Sequence, residues 1–303
     1  MKVATIILKF FYNAIPFKKF IFLFVKIFYV PSRTLYQHLT FKGVTSINLD
    51  GNKLKIYNTA TLIENQLFWR GIEGFEPNSL RIWIKLCKTS NIILDIGANT
   101  GVYSLLAKSV NNASTVHAFE PVERVYKILE KNAFINNFDI ITHNKAVSNY
   151  DGVGMFYDDE EEHTTSVVIN RDRSDEKRLH KVEIETIKLD TFIKNNKIKN
   201  IDLIKMDVEL HEAEVIEGFG WHIKKFRPTL IVEVIRDYVA ASLQEHLSEL
   251  EYNYFYINEP FGGGDYDCTI HSDAYQRVKT LINCKYGNYL ICTDDVAREL
   301  NLM

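Results

Sequence analysis

The stretch NIILDIGANTGVYS, residues 91–104, constrains this chain more than any other. Ile92, Ile93 and Leu94 form the unbroken apolar run of a parallel strand covered on both faces, and Asp95 ends it at the carboxyl edge. Gly97 and Gly101 let the backbone turn tightly and approach a ligand where a Cβ would intrude, and GVYSLLAKSV continues as a helix. The spacing is Gly-x-Asn-x-Gly, which lacks the second glycine that makes room for a pyrophosphate at a helix N-terminus. An acid at the strand end suits a ligand bearing an amino group better than one bearing phosphates.

A second buried strand, TVHAFEP at 115–121, again ends in an acid. Glu120 lies 25 residues beyond Asp95, close to the roughly 20-residue offset at which a nucleotide-binding βαβ unit presents a carboxylate to ribose hydroxyls. S-adenosylmethionine carries both an amino group and a ribose. The competing reading of Glu120 is a helix-capping carboxylate ahead of Pro121. A helix near 122–136 and a strand near 139–147 follow, and the topology sets Lys145 and Ala146 beside an adenine slot. In IDLIKMDVELHEAEVIEGF, 201–219, a core strand ends at Asp207 and a helix starts near Glu212. Between them sits a cluster of ionisable groups, some of which cap the helix. RPTLIVEVI, 227–235, is a further strand with Glu233 near its end, so Asp207 and Glu233 are candidate ligands for Mg²⁺ or another hard cation. YFYI at 254–257 and YLICT at 289–293 read as a closing strand pair around the turn FGGGDYD at 261–267.

The flanks are less specific. Residues 1–30 are apolar, aromatic and basic with no Asp or Glu. Lysines interrupt the run below the ~18 residues of a spanning helix. Two basic amphipathic helices hinged near Pro16 would lie on an anionic membrane; packing on the chain's own core or on a dimer partner is the second reading, and a signal peptide, for which no small-x-small cleavage site follows, is the third. Residues 31–84 form a connecting unit. It contains a hairpin, Val44–Leu49 with Lys53–Tyr57, turning at Asp50-Gly51, and a helix from 80 preceded by Pro77, Asn78 and Ser79 as stop and cap. Glu73 and Glu76 read as loop charges, with a ligand-facing role as the second reading. Residues 85–303 form the third and main unit. Short β-like pieces, GMFYD, TSVVI and VEIETIKL, occupy 153–188, where His163, Thr164 and Thr165 would overhang the ligand mouth. A net charge of −3 argues against a nucleic-acid partner. Cys87, Cys268, Cys284 and Cys292 have no paired spacing and read as reduced cysteines in a cytoplasmic setting.

LDIGANTGVYS, HAFEP, KAVS, KLDTF, IKMDVELHEAEVIEG and RPTLIVEV, in that order, resemble the FkbM-type methyltransferases, which use S-adenosylmethionine to methylate oxygen. The resemblance implies an α/β class I methyltransferase fold, Rossmann-like. Its seven-stranded mostly parallel sheet has helices on both faces, here preceded by the N-terminal hydrophobic helical segment. By the same resemblance Asp95, Gly97, Asn99 and Gly101 would shape the methionine and ribose side of the site, and Glu120 would hold the ribose. Asp207, Glu209 and Glu212 would be the acidic motif at the transfer centre. His211 is the candidate general base, because imidazole titrates near neutrality; its other reading is a helix-capping residue. The implied acceptor is a sugar or glycan hydroxyl, to which the basic N-terminus adds a narrower reading, a lipid-linked acceptor reached from the inner face of the cell membrane. The competing class is a noncatalytic membrane-attached module, and a nicotinamide oxidoreductase stands third. One departure is Leu210, where the family usually has glycine: if the turn requires φ > 0, leucine strains it by about 1–2 kcal/mol.

Overall fold

The computed structural model describes residues 17–36, 38–159, 179–260, 274–282 and 285–303. The expectations placed on 1–16, on TSVVI with His163, Thr164 and Thr165, on 261–267 and on Cys268 and Cys284 lie outside those residues. Strands β1 (Gly43–Leu49) and β2 (Asn52–Asn58) form the expected hairpin in unbroken antiparallel register. Asp50 and Gly51 sit at φ 53° and 88°, the doubly positive turn that matches strand twist. The exposed edge of β2 is covered by asparagines: Asn132 Oδ1 accepts from Tyr57 N (2.7 Å), and Asn136 bonds both backbone groups of Lys55 (2.8 and 2.7 Å).

The remaining strands, in chain order, are β3 (Ile92–Ile96), β4 (Thr115–Phe119), β5 (Ile141–His143), β6 (Ala146–Val147), β7 (Gly152–Asp159), β8 (Leu179–Ile187), β9 (Leu203–Met206), β10 (Thr229–Val234), β11 (Asn253–Ile257), β12 (Tyr275–Val278) and β13 (Gly287–Cys292). Eight of them make the central sheet, in the order β12-β11-β13-β10-β9-β3-β4-β5. Parallel pairing runs from β10 through β9, β3 and β4 to β5, while β13 inserts antiparallel between β10 and β11. That is the mostly parallel class I sheet with one reversed strand, enlarged by β12, a second reversed strand at the edge. β12 carries exposed Gln276 and Arg277 rather than an apolar run, which suits an edge and hid it in the sequence.

Alternate residues of the central strands feed two cores, which is why these strands are apolar throughout. Leu94, Ile204, Met206 and Val232 pack under the helices Leu189–Asn196, Glu212–Phe219 and Asp237–Leu247. Ile93, Leu203, Ile231 and Leu290 face the hairpin and the helices Pro77–Cys87 and Val102–Val110. Two local expectations are corrected. The segment 139–147 is two strands in two sheets, β5 at the central edge and β6 with β7 and β8, because Asn144 turns away to bond the carbonyls of Glu120 and Pro121 (2.9 and 3.0 Å). The helix expected from 80 begins at Pro77, and its cap comes from a distance: Glu259 accepts the amides of Asn78 (3.0 Å) and Ser79 (2.7 Å). Burial pushes that carboxyl up to about 7.

Candidate active site at the carboxyl edge of the sheet

The strand ends of β3, β4, β9 and β10 open into a cavity that encloses, with its mouth, about 1250 Å³. Asp95, Gly97, Asn99, Glu120, Ala146, Asp207, Glu209 and Glu233 all line it. The loop after β3 is pinned from three sides. Gly97 and Ala98 donate to the Phe119 carbonyl (3.0 and 2.8 Å), Asn99 N–H to Glu120 Oε2 (3.0 Å), and Ser104 donates its amide (2.9 Å) and hydroxyl (2.5 Å) to Asp95 Oδ2. Glu120 Oε1 also accepts Val122 N–H (2.9 Å), so this acid shapes its own loop while keeping lone pairs for a diol.

Both glycines turn the backbone at positive φ as expected, and in both the added Cβ would meet protein. A Cβ on Gly97 (φ 78°) would lie 1.8 Å from the carbonyl oxygen of Asp207, so this residue lets the β3 and β9 loops meet. Gly101 (φ 92°) does not line the cavity; its Cβ would strike Leu129 Cδ1 at 2.5 Å.

The loop after β9 turns through Glu209 (φ 52°) and Leu210 (φ 75°), so leucine does occupy the left-handed region that favours glycine. Glu212 is absent from the cavity wall and instead receives Val208 N–H (3.3 Å) from inside the turn, where burial pushes its carboxyl up to about 8. His211 also lies off the cavity. Its Nε2 pairs with Ser148 Oγ (2.9 Å), its Nδ1 lies 3.6 Å from Glu214, and burial lowers its pKa. That Ser-His-Glu chain resembles a hydrolytic triad but is shut away, with Ser148 fully buried; it ties the β6 end to the β9 loop.

Lys205 was missed in the sequence reading. It lies beside Asp95 in register, is 1% exposed, and extends its ammonium to Asp207 Oδ2 (3.6 Å), Asn288 Oδ1 (3.4 Å) and the face of Tyr103 (5.2 Å). Burial alone would lower its pKa, but Asp207, Glu76, Glu233 and Asp95 together raise it. Glu76 lines the cavity and accepts the Tyr103 hydroxyl (2.6 Å), whereas Glu73 pairs with Arg81 outside it. The signal was present: a lysine between Ile204 and Met206, in a strand buried on both faces, must have partners. Glu233, pushed up to about 9 by burial and then by Asp207, shares a hydrogen bond with that residue. With an ammonium already serving the pair, Asp207 and Glu233 do not make a divalent-cation cage. Among the described residues no cluster of three or more His, Cys, Asp or Glu could hold a metal.

The lining residues fit a cationic nucleoside. Six carboxylates face two lysines, Lys145 and Lys205, an excess that favours a ligand with amino and sulfonium charge and opposes a pyrophosphate. Burial of acids in and behind this cavity carries a cost in the ligand-free protein. Asp95, Glu120, Glu212 and Glu233, raised to about 6, 7, 8 and 9, keep protons in the fold that the unfolded chain releases near its ordinary carboxylate values. Stability is therefore lost as pH rises through that window, at ~1.4 kcal/mol per pH unit for each group still protonated. His117 and His143, lowered to about 4 by burial, work the other way below neutrality. Thermal midpoints of the ligand-free protein are expected to fall from about pH 5 to about pH 9, because four raised carboxyls outweigh two lowered imidazoles. A flat profile above pH 7 contradicts the assignment.

A doubly covered parallel sheet with one inserted reversed strand and an acid-lined cavity at its carboxyl edge defines a class I methyltransferase. The family model for the methyltransferase FkbM domain matches residues 95–256, more than half of the 303-residue chain. The chain belongs to the FkbM methyltransferase family. No curated protein matches it. Among solved structures it is similar to an FkbM methyltransferase from Methylobacillus flagellatus KT, at 16% identity and TM-score 0.40 over 67% of this chain, which spans 43% of the length of that one. It is also similar to an O-methyltransferase from Bacillus cereus in complex with S-adenosylhomocysteine (14%, TM-score 0.39, 72% of this chain and 80% of the other). A third is an S-adenosylmethionine-dependent methyltransferase from Agrobacterium tumefaciens (12%, TM-score 0.41, 84% and 71%).

Proposed function

We propose that the protein transfers the methyl group of S-adenosylmethionine to a hydroxyl of a sugar or glycan. The observation that carries this reading is the carboxylate excess around the strand ends, with Asp207, Glu233 and Lys205 grouped at one side. Asp95 and the loop through Asn99 would hold the amino-acid end of S-adenosylmethionine, Glu120 the ribose, and Ala146 the adenine side. When bound, S-adenosylmethionine supplies an electrophilic methyl group on a sulfonium. Asp207 takes the proton of the acceptor hydroxyl, replacing His211 in the role read from the sequence. Lys205 holds Asp207 in place, and Glu233 donates its hydrogen bond to it. His211, Ser148 and Glu212 fix the loop that presents Asp207 and Glu209. A glycan as acceptor rests on the family alone.

Calorimetry with S-adenosylmethionine and, as the control, NAD tests the cofactor. Glu120→Ala is expected to weaken S-adenosylmethionine at least tenfold, about 1.4 kcal/mol or more. Asp207→Asn is expected to keep most of the binding and lower labelled-methyl transfer by about 10²–10⁴. Binding of NAD in preference removes the proposal. Binding without transfer to any hydroxyl acceptor favours the noncatalytic module.

A further inference from the structure

The helix Lys18–Phe28 is built inside out. At 100° per residue Phe17, Phe20, Ile21, Phe24, Ile27 and Phe28 share one face, and that face points to solvent, with the four phenylalanines 63–75% exposed. The opposite face carries the polar residues and the attachment. Phe22 packs against Phe41 and Trp69, and Lys26 lies over the Phe68 ring and donates to its carbonyl. The polar side of the helix thus meets the protein and the apolar side meets water, which is the reverse of a core-packing helix. With about 200 Å² per aromatic side chain, the exposed face amounts to roughly 600–700 Å² of apolar surface, more than solitary soluble surfaces leave uncovered.

Charge selects the occupant. The first thirty residues hold five lysines and no acid, so the rest of the chain, with 31 basic and 39 acidic residues, has net charge −8. A basic, aromatic-faced end on an acidic body is attracted to an anionic surface in one orientation. An 11-residue helix is about 16 Å long. No described helix is long and apolar enough to cross a membrane. We propose that the helix Lys18–Phe28 lies in the plane of an anionic lipid bilayer, with its phenylalanine face at the acyl boundary and Lys18 and Lys19 at headgroup level. This surface is independent of the reading of the cavity, so it stands or falls separately from methyl transfer.

Co-sedimentation of the full-length protein with vesicles tests it. Binding is expected to vesicles of phosphatidylcholine containing phosphatidylglycerol, to weaken with added salt, and to be much weaker to phosphatidylcholine alone. The triple variant Phe20→Ser, Phe24→Ser, Ile27→Ser is expected to lose at least tenfold in partition while its thermal midpoint stays with the parent. Four results would overturn the proposal. The parent fails to bind anionic vesicles, or the triple variant binds as the parent does. The variant loses its midpoint by several degrees without a change in partition, which means the chain's own residues cover the face. Light scattering finds a dimer that the variant dissolves, and vesicles do not compete with it, which assigns the face to a second copy.

Discussion

Gly97→Ala is expected to cripple the protein rather than merely trim its affinity for a cofactor. The added Cβ would be 1.8 Å from the Asp207 carbonyl carbon's oxygen, at a backbone φ of 78°. Neither side can yield cheaply, because Asp207 N–H is bonded to the Ile96 carbonyl (3.0 Å) and Gly97 N–H to that of Phe119 (3.0 Å). A conflict between two pinned backbones belongs with the largest single-residue effects, roughly 4 kcal/mol or more. In a chain of 303 residues that lowers the thermal midpoint by roughly 6 °C. A midpoint within about 2 °C of the parent would show that the two loops are not locked together. Gly101→Ala also meets a close neighbour, Leu129 Cδ1, but that is the end of a side chain and can move; the milder outcome of the pair is expected there.

Lys205→Met should be the second most damaging change, and pH should reveal why. The substitution keeps an unbranched side chain one atom shorter and removes the ammonium that faces Asp207, Glu76, Glu233 and Asp95. Taking one partner out of a buried charge group costs about 3–5 kcal/mol. The loss is expected in full near pH 8. It should shrink as pH falls toward about 6, because Asp95, whose carboxyl the ammonium holds down, takes up its proton at higher pH in the variant than in the parent. Midpoints measured across that range, compared with the parent, give the difference directly. A deficit independent of pH would mean that Lys205 serves packing alone. Methyl transfer should fall along with stability at pH 8, since Asp207 loses the group that positions it.

The parts of the fold that were legible in the sequence are those whose cause is local. β3, β4, β9 and β10 are apolar runs ending in Asp95, Glu120, Asp207 and Glu233, and all four acids reach one cavity. The hairpin was legible from Asp50-Gly51, whose backbone demands a specific residue pair. What remained hidden depends on partners far along the chain. His211 looks like a base until Ser148, 63 residues earlier, fills its bonding position. Gly97 lines the cavity, but that the Asp207 backbone lies against it could not be read from the sequence. Lys205 looks like a surface lysine unless the strand is known to be buried on both faces. Edge strand β12, polar on its outer side, carries no periodic signal strong enough to separate it from a loop.

The long-range cap on the helix Pro77–Cys87 has a consequence for the order in which the protein is made. Its amides at Asn78 and Ser79 wait for Glu259, 181 and 180 residues later, and Tyr275 adds a bond to the Asn78 carbonyl. The preceding residues Ile63, Phe75 and Glu76 belong to the cavity wall. On the ribosome those wall residues emerge early, yet they gain their anchor only when the last strands follow, and contacts of such separation form late. The aromatic helix Lys18–Phe28 is therefore available for contact with its surroundings well before the cavity is finished. Binding competence arrives only after Glu259 and Tyr275 have emerged.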